Sequence, residues 1–412
     1  MNNNFSCENI SSDFSFSYIY DENIDPNSFK DNDKLQNVNK YLDNKLNEYN
    51  SHKLSKNSTK RQFGRDITIK AQNNYINNNN NLLLNKNPLK IKNTNEIIMN
   101  SFLDECSLTK KNYNSQNLAN IKNDNYYFQD LNIYSPEKKV QNNPQYVVEY
   151  SKEIMNNVKN NEKINYPSYE KNFLKFHPKL SEFKRAVLVD WLIHVQYNFE
   201  LLENTLFLTI NLIDRMLEET KNIKMECFQL LGVTCMFIAS KYEEIYPPEL
   251  HDFLYLCGDK YKKKEILSYE IHILEKLNFD ILCVNPFVFL DRYYLLYEVE
   301  NNETYYMSQM LIELCYFSID LMKYGPDLLA HSMLFLAMKI KNNKLVYSNK
   351  FKLYSGFTDN DVKNVIKSFW YFCKEFREDR FPSILKKYSK KKYFNVSENI
   401  KVFFKKKKSI LK

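Results

Sequence analysis

Glycine is scarce in this 412-residue chain, which contains only Gly64, Gly232, Gly258, Gly325 and Gly356. A phosphate-binding loop needs several glycines within a few residues, because its backbone N–H groups must approach the phosphates closely. No such cluster occurs here, which argues against a Walker-type ATPase and against a protein kinase. The shortage also argues against an all-β fold, whose many turns require glycine.

Paired cysteines, clustered histidines and long apolar runs are lacking as well. The eight cysteines include no Cys-x-x-Cys pair, and the six histidines form no metal or nucleophile constellation. We therefore predict free thiols, no metal site and no cofactor. The first thirty residues have no apolar core of the kind that signal peptides carry. The longest apolar run, 230–239, is shorter than the roughly 20 residues that span a membrane. The sequence thus predicts a soluble, intracellular protein without a membrane partner.

Hydrophobic residues make up 43% of the chain and aromatic residues 15%, so a sizeable core can be buried. The formal net charge is +8, and the excess is concentrated after Lys386, where Glu398 is the one acidic residue. Two interpretations of this basic tail remain open. It is a solvated, flexible end, or it is a nuclear-import or polyanion-binding segment.

The chain changes character near Pro144. Residues 1–143 are rich in Asn, Lys, Asp and Ser, with an asparagine run at 73–81, and such a composition predicts a disordered extension. Beyond it, apolar residues recur at helical spacing, which predicts an all-α fold. The predicted helices are 145–158, then 182–199, 203–219, 225–242, 247–256 and 262–277, then 285–297, 303–323, 326–341, 348–355 and 358–377.

The sequence indicates that the two sets of helices are copies of one unit. "LLGVTCMFIASK" at 230–241 matches "LLAHSMLFLAMK" at 328–339, an offset of 328 − 230 = 98 residues. This period suits a duplicated small domain. Both segments are apolar all round, which predicts a helix enclosed by its neighbours. We therefore predict two five-helix bundles, each built around its third helix.

Four charged residues fall on apolar helix faces, where a charge is costly unless it is paired. Arg185 and Asp214 are predicted to form a structural ion pair. Lys241 ends the enclosed helix of the first unit, and Glu270 interrupts an apolar stripe. Periodicity leaves two roles open for Lys241 and Glu270: an internal ion pair, or a polar anchor within an apolar partner surface.

These residues lie in motifs that resemble the cyclin box of A- and B-type (mitotic) cyclins. The motifs, in order, are "KRAVLVDWLIHV" at 184–195, "LENTLFLTINLIDRML" at 202–217, "FIASKYEEIYPPEL" at 237–250 and "ILEKLNFDI" at 273–281. The family's signature positions are occupied by Arg185, Asp214, Leu230, Lys241 and Glu270. The resemblance covers roughly 145–397.

The resemblance implies a non-catalytic subunit that binds and activates a cyclin-dependent Ser/Thr protein kinase in cell-cycle control. It implies that Lys241 and Glu270 contact the kinase backbone and that the helix at 145–158 braces the kinase. The further implied apolar kinase contacts are Ile238, Tyr242, Leu274 and Phe279.

Other family features are matched less closely. A surface patch that docks substrate or inhibitor peptides would comprise Val187, Leu188, Trp191 and Gln229. Lys184 and His194 depart from the family's pattern there, so attraction for a basic peptide should weaken, and simple core packing of Leu188 and Trp191 is the alternative.

The N-terminal extension carries two short motifs. "KRQFGRDIT" at 60–68 resembles a destruction box, which implies a ubiquitin ligase as a further partner. "SPEK" places a phosphorylation site at Ser135. Both motifs are short enough to arise by chance.

The resulting division of the chain is a regulatory extension, a lead-in with the N-terminal helix, two cyclin boxes and a C-terminal helix with a basic tail. The predicted boundaries are 1–143, 144–181, 182–283, 284–380 and 381–412. We expect the protein in nucleus and cytoplasm. A transcriptional-type cyclin, or a factor IIB-like transcription factor, is the alternative, but the chain lacks the paired metal ligands of the latter's zinc ribbon and nucleic acid is not favoured as a partner.

Overall fold

The computed structural model describes residues 140–258, 260–341, 345, 347, 349–376 and 380–408. Within these ranges the secondary structure is helical, with no strand, so the all-α prediction is confirmed. The predicted extension at 1–143 lies almost wholly outside the described residues.

A short helix precedes the first bundle. The bounds are α1 Ser151–Asn161, followed by α2 Glu182–Phe199, α3 Glu203–Glu219, α4 Phe228–Glu243, α5 Leu250–Leu256 and α6 Lys263–Lys276. Helix α4 packs against α2, α3, α5 and α6. It is buried on nearly every side because its sequence is apolar all round.

The second bundle repeats this plan around α10. Its bounds are α7 Pro286–Leu296, α8 Asn302–Cys315, α9 Ile319–Met322, α10 Pro326–Lys341, α11 Asn349–Ser355 and α12 Asp359–Glu375. Helix α10 packs against α7, α8, α9 and α12. The predicted helix at 303–323 is in fact two helices, because α8 ends at Cys315 and the backbone is extended at Ser318, before α9 begins.

The C-terminal segment returns across both bundles as α13, Pro382–Tyr388, and α14, Val396–Lys408. Helix α13 packs against α2 of the first bundle and against α8 of the second. Asp190 of α2 accepts hydrogen bonds from the Ser383 N–H (3.1 Å) and from its hydroxyl (2.7 Å). Burial raises the pKa of Asp190 to about 7, although these hydrogen bonds oppose the rise.

A second buried contact fixes the other end of α13. Lys387 Nζ donates to Glu313 Oε1 of α8 at 2.6 Å, and the Tyr388 hydroxyl donates to the same oxygen at 2.8 Å. Both charged side chains are fully buried. Burial raises the pKa of Glu313, against the lowering effect of Lys387. The C-terminal segment is therefore part of the fold of both bundles.

Candidate functional site

The interior pair of the first bundle is in place and reaches further than predicted. Arg185 donates to both oxygens of Asp214, at 2.7 and 2.5 Å, and both side chains are buried. The third donor of the guanidinium bonds the Tyr316 carbonyl at 2.7 Å, in the break between α8 and α9. The Tyr169 hydroxyl also donates to Asp214, at 2.8 Å. Arg185 and Asp214 thus connect the lead-in, the first bundle and the second bundle.

Lys241 and Glu270 also form an ion pair, but at the surface. Lys241 lies in the last turn of α4 and its ammonium contacts Glu270 Oε1 of α6. The Lys241 side chain is 42% exposed and that of Glu270 is 11% exposed. The ammonium also lies 4.2 Å from the centroid of the Phe237 ring. The pair therefore lies at the boundary between the core and the surface, with the carboxylate mostly covered and the ammonium open to solvent.

Exposed apolar side chains occur near this pair in the sequence, at or just beyond the ends of α4 and α6. Phe279 is 66% exposed and Tyr242 is about half exposed, whereas Leu274 is half-buried. Ile238 is only 3% exposed, so it supports α4 from beneath and offers a partner little surface. Sequence reasoning missed further exposed apolar residues in α6 and in the segments that follow α4 and α6, namely Ile245, Tyr246, Ile271 and Leu282.

The backbone holds Phe279 outward. After α6 ends, Asn278 and Phe279 both adopt left-handed φ values, 54° and 57°. The Phe279 N–H bonds the Leu274 carbonyl at 2.8 Å, which closes the helix end. A left-handed conformation costs a non-glycine residue roughly 1–2 kcal/mol. Strain of this kind collects at functional sites, and here it displays an aromatic ring to solvent.

The second bundle lacks an equivalent of this pair. At the offset of 98 residues, Lys241 corresponds to Lys339, which is buried and bonds the Leu345 carbonyl at 2.9 Å. Glu270 corresponds to Ser368, whose hydroxyl lies 2.7 Å from that of Tyr324. The duplicated unit therefore uses these two positions for its own packing, and the partly exposed charge pair belongs to the first bundle.

The predicted docking patch on α2 is mostly covered. Leu188, Trp191 and Gln229 are 1%, 6% and 2% exposed, and only Val187 is half-buried. A peptide would reach little of this patch without rearrangement. His194 is buried too, which agrees with core packing as the role of this helix face.

Two predicted features cannot be placed. Ser135 and the segment 60–68 lie outside the described residues. Among the helices that the structure describes, none has the length and apolar content that crossing a membrane requires. No group of three or more potential metal ligands occurs within the described ranges.

Two family descriptions match adjoining parts of the chain. "Cyclin, N-terminal domain" matches residues 153–282, and "Cyclin, C-terminal domain" matches residues 284–400. A viral cyclin of herpesvirus saimiri, solved by X-ray crystallography, shares 20% identity and a TM-score of 0.47 over 53% of this chain and 96% of that chain.

Curated relatives point to one group. The G2/mitotic-specific cyclin-B of Spisula solidissima is 34% identical over 65% of this chain, and the G2/mitotic-specific cyclin-B3 of Gallus gallus is 34% identical over 61%. The chain spans 61% and 60% of the length of these two relatives. It spans 86% of the G2/mitotic-specific cyclin S13-7 of Glycine max, at 34% identity. With both domain descriptions matched in order, the chain belongs to the cyclin family.

Proposed function

We propose that this chain binds and activates a cyclin-dependent Ser/Thr protein kinase in mitotic cell-cycle control. The observation that carries the proposal is the Lys241–Glu270 pair, which is partly exposed in the first bundle and replaced by other contacts in the second. The names of the relatives, G2/mitotic-specific cyclins, supply the cell-cycle context. These relatives do not favour the transcriptional-type cyclin or the factor IIB-like factor.

The two charges suit recognition of a partner's backbone. An ammonium donates to carbonyl oxygens and a carboxylate accepts from N–H groups. Because Lys241 and Glu270 already hold each other, little side-chain freedom is lost when a partner docks. The partner must cover the pair, since a charge-assisted hydrogen bond gains strength where water is excluded.

The exposed rings can supply the energy of a conformational switch. Burying the free half of an aromatic side chain, about 100 Å², yields roughly 2.5 kcal/mol. Tyr242 and Phe279 together therefore offer about 5 kcal/mol. Shifting a kinase from 1:99 to 99:1 in favour of its active form requires about 5.5 kcal/mol of differential affinity. The surface is thus of the right order if it binds the active form alone.

In this proposal the chain performs no chemistry itself. The kinase holds the nucleotide and transfers the phosphoryl group, and it needs an internal Lys–Glu pair to be in place. The cyclin chain favours the conformation in which that pair forms.

The test is a pull-down with the full chain, followed by a phosphorylation assay on a histone-type substrate. We expect kinase activity to co-purify with the wild type and to fall at least tenfold with Lys241→Ala/Glu270→Ala. The matched control is Lys363→Ala/Asp359→Ala, which removes a surface ion pair of 3.2 Å from α12, the counterpart of α6. If the co-purified kinase activity of the Lys241→Ala/Glu270→Ala variant equals that of the control variant, the role of the anchor pair is refuted. Recovery of no kinase by the wild type would refute the function.

Three sequence predictions accompany this proposal. The basic tail would direct the protein to the nucleus as well as the cytoplasm, which imaging of a variant with alanine at Lys405, Lys406, Lys407 and Lys408 tests. The segment 60–68 would recruit a ubiquitin ligase, and a slower decay of Arg61→Ala/Phe63→Ala after translation is blocked would support this role. Ser135 would be phosphorylated by the bound kinase, and mass spectrometry of the complex would detect the phosphate.

A further inference from the structure

The N-terminal helix α1 is fixed to the second bundle by charged side chains. Met155 and Val158 pack against the core. Lys159 and Glu162 follow on the same face, at helical spacings of three and four residues. These contacts join α1 to a bundle that lies more than 120 residues further along the chain.

Glu162 caps a helix of the second bundle. Its Oε1 accepts a hydrogen bond from the Asp327 N–H, at 2.9 Å, in the first turn of α10. The first N–H groups of a helix have no partner within it, and a carboxylate there also meets the positive end of the helix dipole. The residue before α10 is Gly325, which has no side chain to provide this cap.

Gly325 also provides the space for Glu162. Its φ is +79°, and a Cβ built on it would lie 2.9 Å from Glu162 Oε1. Any larger residue would be strained and would press on the carboxylate. Glu162 supplies an acceptor at the start of α10, and Gly325 leaves room for it. Both observations indicate the same position for α1 against the second bundle.

Lys159 completes this connection, which we call the α1 clasp (Lys159, Glu162, Gly325 and Asp327). Its ammonium lies 3.5 Å from Asp327 Oδ2 and donates to the Ser355 carbonyl at 3.2 Å. Asp327 is buried and also accepts from the Tyr293 hydroxyl at 2.5 Å. One cation thus joins α1 to the start of α10 and to the end of α11.

Exposed apolar side chains lie at the start of α1, among exposed polar residues such as Lys152, Glu153 and Asn156. Tyr150 and Ile154 are about half exposed, and Val147 just before them is exposed as well. A single short helix of this kind is marginal alone in water, so its orientation depends on the contacts of its buried face.

We propose that Lys159 and Glu162 are positioning residues, which use the second bundle to hold Tyr150 and Ile154 in place for the kinase. The inference rests on the proposed function and adds a role for the second bundle, which lacks the anchor pair. Loss of the clasp would leave α1 seated in a fraction of molecules. If that fraction is about one tenth, the apparent Kd for the kinase rises about tenfold, since Kd varies inversely with the competent fraction.

A double-mutant cycle on kinase affinity tests the proposal with the full chain and a purified cyclin-dependent kinase, by titration calorimetry. The clasp variant is Lys159→Ala/Glu162→Ala and the face variant is Tyr150→Ala/Ile154→Ala. We expect each to raise Kd about tenfold and their combination to raise it little further. Once α1 is displaced, Tyr150 and Ile154 no longer contact the kinase, so removing them has no additional effect on Kd. Multiplicative losses, near a hundredfold, would overturn the proposal, as would an unchanged Kd in the clasp variant.

Further variants separate positioning from folding. Gly325→Ala disturbs the clasp from the side of α10 and should reproduce the clasp variant, while Glu162→Gln keeps an acceptor and should stay within about threefold of wild type. The matched control is Lys350→Ala/Glu298→Ala, which removes a second-bundle ion pair at 3.0 Å. A tenfold loss in this control would overturn the inference. If the wild-type chain does not bind the kinase, both this inference and the proposed function fail. If Lys241→Ala/Glu270→Ala weakens kinase binding and the clasp variant does not, only this inference fails.

Discussion

Replacing Arg185 by methionine should cost far more stability than the loss of one side chain suggests. The substitution leaves the Asp214 carboxylate buried with the Tyr169 hydroxyl as its remaining hydrogen-bond donor, and it removes the donor to the Tyr316 carbonyl. Breaking a buried pair from one side costs about 3–5 kcal/mol. An unsatisfied carbonyl adds about 1–3 kcal/mol. Domains are stable by only about 5–15 kcal/mol, so much of the fold's stability would be lost.

The double variant Arg185→Met/Asp214→Leu tests whether the unpaired carboxylate causes this loss of stability. Removing both charges eliminates the uncompensated carboxylate, so the double variant should be more stable than Arg185→Met alone, although it carries two substitutions. Urea unfolding followed by circular dichroism measures both. A loss below about 1 kcal/mol for Arg185→Met, or a double variant less stable than the single one, would refute this account.

Three further predictions follow from contacts described above. The folded-state pKa of Asp190 is raised to about 7 from 3.8, so between these pH values the folded chain binds one more proton than the unfolded chain. The free energy of unfolding should therefore fall as pH rises from about 4 to 7, by up to about 1.4 kcal/mol per pH unit. Asp190→Asn, which can still accept from Ser383, should abolish this part of the fall in urea unfolding at pH 5 and pH 8. Gly232→Ala would place a Cβ 2.8 Å from Leu188 Cδ1 and should lower the free energy of unfolding by about 1–3 kcal/mol. Combined with Leu188→Ala, it should lower this free energy by less than the sum of the two single changes. Additive losses would show that the two side chains do not clash. Phe279→Gly should weaken kinase binding without lowering the melting temperature, because glycine accepts the left-handed φ of 57°; a clear loss of thermal stability would show that the ring supports the fold.

Three helices were predicted from the sequence with the bounds that the structure has, and two of them carry a local signal at the N-terminal end. Helices α2, α3 and α10 begin and end at the predicted residues, 182–199, 203–219 and 326–341. Ser181 caps α2 by accepting from the Lys184 N–H at 3.2 Å, and a proline opens α10. Such signals lie within a few residues of the helix end.

The break between α8 and α9 could not be predicted, because no local signal marks it. Residues 314–317 are all buried and apolar, so the helical pattern continues through them. The break is stabilised from outside: Arg185 bonds the Tyr316 carbonyl, and Glu182 accepts from the Ile319 N–H at 2.9 Å. Both partners lie about 130 residues away in the sequence, beyond the reach of periodicity.

Candidate site residues divide in the same way. Periodicity singled out Arg185, Asp214 and Glu270 because a charge on an apolar stripe is anomalous in one helix alone. Glu162 gave no such signal, since it is an ordinary polar residue until α10 is placed beside it. Ile271 could have been found, because it is an apolar residue on the polar side of α6.

The return of α13 to α2 has a consequence for synthesis of the chain on the ribosome. The hydrogen bonds of Asp190 join residues 193 positions apart. At about 5–20 residues per second, the ribosome needs about 10–40 s to make the intervening chain. During that interval α2 lacks its C-terminal cover, and the first bundle to emerge exposes a surface that only the last helices will close. Newly made chains should therefore depend on chaperones for this period, and a ribosome that stalls before residue 383 should release a product fit for degradation.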